Sequence, residues 1–327
     1  GVNSAPVPSS QQMARMDSLV QVAMKYSFGL SLGLEYVPGL YSREAELKHL
    51  AAEVGQSQRM IMSHIRNEDD PVLQQSINEM LLLGKACKVH ISHLKSVYGS
   101  GADRASEILT WLHEARSEGV EVSADIYPYT ASYTGISILF PEWAKTEQQL
   151  NDILKSRRGE LETFLYEKVM YRNGPEATLI GTGEFSGLTL AEAAKREGVS
   201  FVELLIDRIG PQGASGAYFV MNEELQTELL KDTLIGICSD GSPTGYHPRG
   251  HGTFARIIQK YVLQEQVLTL EQAVYKMTGF AADLLAIQDR GFIRAGMKAD
   301  LNIFEPGDVR EKASFENPLQ QAEGFDY

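Results

Sequence analysis

Three short apolar runs each end in a side chain able to bind a cation or move a proton. Helix-patterned stretches separate these runs. Arg59-Met60-Ile61-Met62-Ser63-His64 and Lys88-Val89-His90-Ile91-Ser92-His93 end in imidazoles, and Leu234-Ile235-Gly236-Ile237-Cys238-Ser239-Asp240 ends in a carboxylate. Runs of this length read as buried strands. Two more strands, starting at Phe28 and Val120, and helices over 12–27, 44–54, 70–84 and 103–118 extend the alternation. Pro71 suits the first turn of the third of these helices. Such alternation dictates parallel βαβ units, because parallel neighbours need a crossover of about a dozen residues.

Parallel strands gather their C-terminal residues at one mouth. Neighbouring strands lie about 4.8 Å apart, so His64 and His93 could share one divalent ion, with bonds of about 2.0–2.1 Å. With Asp240 at the same mouth as base, the pattern suits metal-assisted hydrolysis in an α/β, TIM-like (β/α)8 barrel. Each residue also has a plain structural role open to it: a satisfied strand-end histidine, or a turn aspartate before Gly241. His90 sits deeper on its strand and reads as packing. His49 and His113 fall on helices and read as surface residues. His247 and His251, in the Gly/Pro/His-rich loop, read chiefly as hydrated.

The five strands fall short of the eight that a closed barrel needs. The expectation is a barrel lacking about three early strands, completed by a missing N-terminal segment or a second chain. The chain starts without Met, which suggests that it begins inside a longer polypeptide or after processing. Its Gly1-Val2-Asn3-Ser4-Ala5-Pro6 start lacks a charged-then-apolar leader pattern. Barrel rhythm covers residues 1–134 and resumes over 232–290. Residues 135–231 read as an insertion forming a substrate wall, with helices at 147–154 and 189–197 and a strand at 216–220. Residues 291–327 read as part of a β-sandwich, with two short strands around a Gly-Met-Lys turn within 291–304.

A formal net charge of −13 argues against nucleic acid as a partner. No apolar run approaches the roughly 20 residues that span a membrane. Two cysteines, Cys87 and Cys238, imply no disulfide framework and a reducing, cytoplasmic setting. An anionic substrate would need a local basic pocket, for which Lys95, Arg66 and Arg249 are candidates.

Several blocks, in order and across nearly the whole chain, resemble the N-acyl-D-amino-acid deacylases (D-aminoacylases) of the amidohydrolase superfamily. They include Gly33-Leu34-Glu35-Tyr36-Val37-Pro38-Gly39, Ser63-His64-Ile65-Arg66-Asn67-Glu68, Ile91-Ser92-His93-Leu94-Lys95 and Asp125-Ile126-Tyr127-Pro128-Tyr129-Thr130-Ala131-Ser132. Ser239-Asp240-Gly241, His247-Pro248-Arg249, Gly252-Thr253-Phe254 and Gly296-Met297-Lys298-Ala299-Asp300 continue the series. The resemblance implies that His64 and His93 are Zn²⁺ ligands on the fifth and sixth barrel strands, and that Asp240 is the acid on the eighth. It implies that Lys95 and Arg249 clamp the α-carboxylate of a small-molecule N-acyl amino acid, with hydrogen bonds from Tyr127 and Ser132. Tyr36 would lie near the reacting amide, and Tyr218 and Met221 would line a side-chain or acyl pocket; without the resemblance, these last two read as core.

The implied reaction is zinc-dependent hydrolysis of N-acyl-D-amino acids to a carboxylate and a D-amino acid. The chain departs from the family pattern in three respects. It has no first-strand His-x-His and no early-strand cysteine ligand, since neither Cys87 nor Cys238 matches that position. Glu35 stands where the family often has an apolar residue. One alternative is a cyclic-amide hydrolase of the dihydroorotase or hydantoinase kind, although the Phe28–Leu34 strand carries no lysine for a metal bridge. The other is an inactive truncated relative that only binds ligand.

Overall fold

A computed structural model describes residues 7–325. Residues 1–6, where the sequence lacks a leader pattern, and residues 326–327 lie outside the described residues. Eight strands occur among the described residues: β1 Gly29–Gly33, β2 Met60–His64, β3 Lys88–Ile91, β4 Val122–Ile126, β5 Ala131–Gly135, β6 Thr178–Ile180, β7 Ser215–Phe219 and β8 Ile235–Ile237. The five strands expected from the sequence form one parallel sheet, in the order β1-β2-β3-β4-β8. Its register places Gly33 beside His64, Ser63 beside Ile91, Ile91 beside Ala124, and Ile126 beside Ile237.

Helices Glu44–Gln56, Leu73–Leu83 and Ala102–Ser117 make the crossovers. Leu47, Leu50, Ala51 and Val54 form one buried stripe on the first of them, the spacing that a core-facing helix requires. Leu73, Ile77 and Met80, then Ala105, Ile108 and Leu112, repeat the arrangement against Ile61, Val89, Ile91, Val122 and Ala124. None of the described helices is long and apolar enough to cross a membrane.

The sheet is open. The remaining strands, β5, β6 and β7, pair antiparallel with one another in the order β5-β7-β6 rather than extending it. They belong mainly to the expected insertion, which has its own apolar core of Leu161, Leu165 and Val169 packed with Ile136, Leu190, Leu204 and Tyr218.

Two expectations fail here. Residues 291–304 contain no strand; no neighbouring strand among the described residues takes up their hydrogen bonds, and Ile293 and Ile303 are 88% and 85% exposed. Phe292 and Phe304 pack against the body from this segment, and polar anchoring follows further on, where Glu311 accepts from Tyr129 Oη at 2.7 Å and from Arg256 Nη1 at 2.9 Å.

His247 is the second correction: it is buried rather than hydrated. Tyr129 and Phe315 pack edge-on to its ring, and its Nε2 donates to Ala131 O at 2.9 Å. Its Nδ1 accepts from the Arg249 backbone N–H at 3.0 Å, which ties the loop after β8 to β5. His251 is likewise turned inward, with a buried Nε2.

Burial, then the Arg249 charge, pushes the His247 pKa down to about 3. In the unfolded chain this imidazole titrates near about 6.5. Between those values the unfolded state therefore binds more protons. The stability contributed is complete above the unfolded value and is lost as pH falls toward the folded one. Urea midpoints measured from pH 7 to pH 4 should decline, and His247→Gln should flatten that decline by close to one proton. An identical slope in both proteins would show that His247 is not the group responsible.

Candidate active site and metal centre

Each strand of the parallel sheet delivers a side chain to one cavity of about 220 Å³. Glu35 and Tyr36 follow β1, His64 ends β2, and His93 and Lys95 follow β3. Tyr127 follows β4, and Asp240 and Arg249 follow β8. Ser132 and Thr134 of β5, with Ile138 and Arg172 of the insertion, complete the lining.

The two imidazoles meet edge to face, with ring centroids 4.5 Å apart. His64 Nδ1 lies 3.0 Å from His93 Nε2. On its far side, His64 Nε2 lies 2.7 Å from Glu35 Oε2. A carboxylate accepting the Nε2 proton leaves the Nδ1 lone pair free. His93 Nδ1 is 3.2 Å from Glu68 Oε1 and 2.7 Å from Lys95 Nζ, and Lys95 Nζ itself donates to Glu68 Oε1 at 2.6 Å. Lys95 Nζ, a donor only, is the nearer partner of His93 Nδ1 and competes with Glu68 for it; the His93 Nε2 lone pair is free when the Nδ1 proton goes to Glu68.

Burial opposes ionisation of both Glu68 and Lys95. Their mutual attraction wins: it holds Glu68 well below, and Lys95 well above, their ordinary values. The buried pair is therefore ionised. Burial, then Glu35 and Glu68, pushes the Tyr36 phenol up to about 12, so it stays a hydrogen-bond donor.

Backbone geometry fixes His93 and Asp240. Both adopt left-handed φ values, 41° and 43°, uncommon for residues with a side chain. At His93 the turn is locked by Asp125, whose Oδ1 accepts from the His93 N–H at 2.5 Å. Asp125 Oδ2 is in turn 2.9 Å from His90 Nε2, and His90 Nδ1 lies 2.8 Å from Ser123 Oγ. His90 thus braces the turn from beneath.

The structure brings His64, His93, Asp240, Lys95, Arg249, Tyr127, Ser132 and Tyr36 to the one cavity. Asp240 Oδ2 pairs with Arg249 Nη1 at 2.8 Å. The Tyr127 ring lies 4.6 Å from the Arg249 guanidinium and 5.5 Å from Lys95 Nζ. Tyr218 and Met221 stand behind the lining. Tyr218 is fully buried and donates to Gly135 O at 3.3 Å, while Met221 Sδ accepts from Tyr127 Oη at 3.9 Å. Arg66 turns away, held by Glu79 and the carbonyls of Leu40 and Ser42. Cys87 and Cys238 are free thiols outside the cavity lining.

Sequence reasoning gave Glu68 and Arg172 no role. The available signal for Glu68 was its place four residues after His64.

One ligand atom from each of His64, Glu68 and His93 lies within 4.8 Å of the others. Two ligand nitrogens on one tetrahedral zinc stand about 3.3 Å apart, given bonds of about 2.0–2.1 Å. The facing imidazole nitrogens, with proton acceptors on their outer sides, fit such an ion.

Comparison with known proteins agrees with this geometry. The amidohydrolase family model matches residues 166–320. The chain is 32% identical to an N-acyl-D-glutamate deacylase of Alcaligenes xylosoxydans xylosoxydans, over 99% of this chain and 61% of that protein's length. It is 30% identical to a D-aminoacylase of the same organism, over 97% of this chain and 60% of the relative. Among solved structures, the N-acyl-D-glutamate deacylase of Bordetella bronchiseptica, complexed with zinc and a phosphonate mimic of the tetrahedral intermediate, superposes with a TM-score of 0.81 at 30% identity. That match covers 98% of this chain and 62% of the other. The chain thus spans about three-fifths of the length of these relatives. With the block order and the open parallel sheet in agreement, the chain resembles the amidohydrolase family over residues 166–320 and the N-acyl-D-amino-acid deacylases over nearly its whole length.

Proposed function

We propose that the cavity hydrolyses N-acyl-D-amino acids to a carboxylate and a free D-amino acid, with one zinc ion held by His64 and His93. The observation that carries this reading is the 3.0 Å approach of two imidazole nitrogens whose outer nitrogens both lie beside carboxylates. Zinc so held supplies Lewis acidity and a water that ionises near pH 7.

The chain's own residues would then divide the work. Glu35 keeps His64 in its ligating tautomer, and Glu68 does the same for His93 when it takes the Nδ1 proton in place of Lys95. Asp240 accepts the proton of the attacking water and returns it to the leaving nitrogen. Its pairing with Arg249 holds the carboxylate in place. Lys95 and Arg249, both beside the Tyr127 ring, bind the α-carboxylate through charge-assisted hydrogen bonds. Ser132 and Tyr36 add neutral donors. Tyr218 and Met221 back the wall that the substrate meets.

The same reading treats residues 1–134 and 232–290 as one catalytic layer and 135–231 as the substrate wall, supported by their two separate apolar cores. The free thiols suit a cytoplasmic setting. The relatives are named for D-glutamate in one case and for D-amino acids at large in another, so their names do not choose the side chain.

Two measurements test the proposal. Metal analysis after zinc loading should find close to one zinc per chain, and His64→Asn or His93→Asn should lower the retained zinc. A wild-type content well under one would favour a chain that only binds ligand. On N-acetyl-D-amino acids, Asp240→Asn should lower kcat by about 10²–10⁴-fold, the usual range for losing a general base, with zinc content unchanged. Equal turnover in the two proteins would remove Asp240 from the reaction.

A further inference from the structure

Three cations line the cavity, and two are already paired: Lys95 with Glu68 and Arg249 with Asp240. Arg172 is different. It caps the C-terminal end of helix Arg158–Tyr171 in the insertion and is only 3% exposed. No carboxylate oxygen lies within 4.0 Å of its guanidinium among the described residues, and its Nε is buried without a partner.

The groups facing it do not resolve this. Its guanidinium lies over the Tyr218 ring at 4.9 Å and the Tyr98 ring at 6.0 Å. Aromatic faces attract the charge but accept none of its five N–H bonds in the plane of the fork. The Tyr98 hydroxyl is itself buried without a partner. Asp69 is the carboxylate whose charge it feels, and Lys168, one turn earlier on the same helix, acts on that same carboxylate. Glu35 also acts on Lys168, so two cations sit near two carboxylates, neither of them within 4.0 Å of the Arg172 guanidinium. A buried guanidinium without acceptors is costly, and a planar anion with two oxygens is the group that its fork matches.

We propose that Arg172 is a subsite for a second carboxylate on the substrate, so that the cavity selects N-acyl-D-amino acids with acidic side chains. This rests on the deacylase reading. The α-carboxylate goes to Lys95 and Arg249, the methylenes of the side chain run past Val97 and Ile138, and the distal carboxylate meets Arg172 at the wall. Tyr218, assigned to the side-chain pocket by resemblance, contributes by holding Arg172 rather than by touching the ligand.

The test compares N-acetyl-D-glutamate with N-acetyl-D-glutamine, which has the same shape but a neutral end. Calorimetric titration of the zinc-loaded full chain, with every protein compared in the slow Asp240→Asn background so that the compounds are not consumed, reads binding independently of turnover. Wild type should bind the glutamate compound about ten- to a hundredfold more tightly, the usual worth of a hydrogen bond to a charged group. Arg172→Met should bring the ratio of the two affinities close to one. Arg172→Lys, which keeps the charge but not the fork, should leave an intermediate ratio, and it serves if the methionine variant fails to fold.

Equal wild-type affinities would overturn the proposal, as would a ratio unchanged by either substitution; Arg172 would then be a structural cation between two rings. If N-acetyl-D-methionine is hydrolysed with no preference for the glutamate compound, the deacylase reading stands and the subsite falls. If none of the three compounds is bound or turned over, both fall together.

Discussion

The site depends on the register of β2 against β3. Ser63 pairs with Ile91, and the Ser92 N–H donates to Ser63 O at 2.9 Å just beyond the last paired residue. That bond sets His64 and His93 side by side where the two strands end. A slip of one residue would send every side chain of the moved strand to the opposite face, bringing Ile61, Val89 and Ile91 out of the core that now buries them completely. Packing thus protects the alignment of the imidazoles. Asp125 extends the same control one strand further, by holding the left-handed turn at His93 from β4.

Charge balance links this alignment to the ligand. Glu35, Glu68, Asp69 and Asp240 line the cavity against Lys95, Arg172 and Arg249. The excess is negative, so without a further cation the cavity would repel an anionic substrate. A divalent ion at the imidazole pair reverses the sign. The ion in the proposed reading therefore has an electrostatic role besides its chemical one: it turns a pocket of a strongly acidic chain into a place where carboxylates gather.

The sheet and its chemistry were legible because strand-end residues in parallel units have only one place to go. His64, His93 and Asp240 follow from that rule; Lys95 was a candidate from the chain's charge, and Tyr127 came with the family resemblance. The misses share a different cause. Strands β5 and β6 are three to five residues long, and Ala131-Ser132-Tyr133-Thr134-Gly135 has no apolar alternation to mark it. His247 is buried by Phe315, which lies far along the tail, a contact that no local pattern announces. Tyr218 was placed in the lining, but the Arg172 side chain covers its ring. Residues 291–304 alternate like strands, yet a strand pattern without a partner strand leaves its backbone to water.

Catalysis and recognition therefore come from different layers of the molecule. The groups proposed to act on the amide sit on the ends of the parallel sheet, where crossover helices and a continuous core fix them. The wall proposed to meet the rest of the substrate combines Ser132 of β5 with Ile138 and Arg172 of the insertion, which folds around a second core of its own. Changing the insertion's side chains would alter what the cavity accepts without disturbing the register that aligns the imidazoles. A change in the sheet would lose both. In the proposed reading, the side-chain preference of this chain would therefore be read from the wall rather than from the imidazole pair.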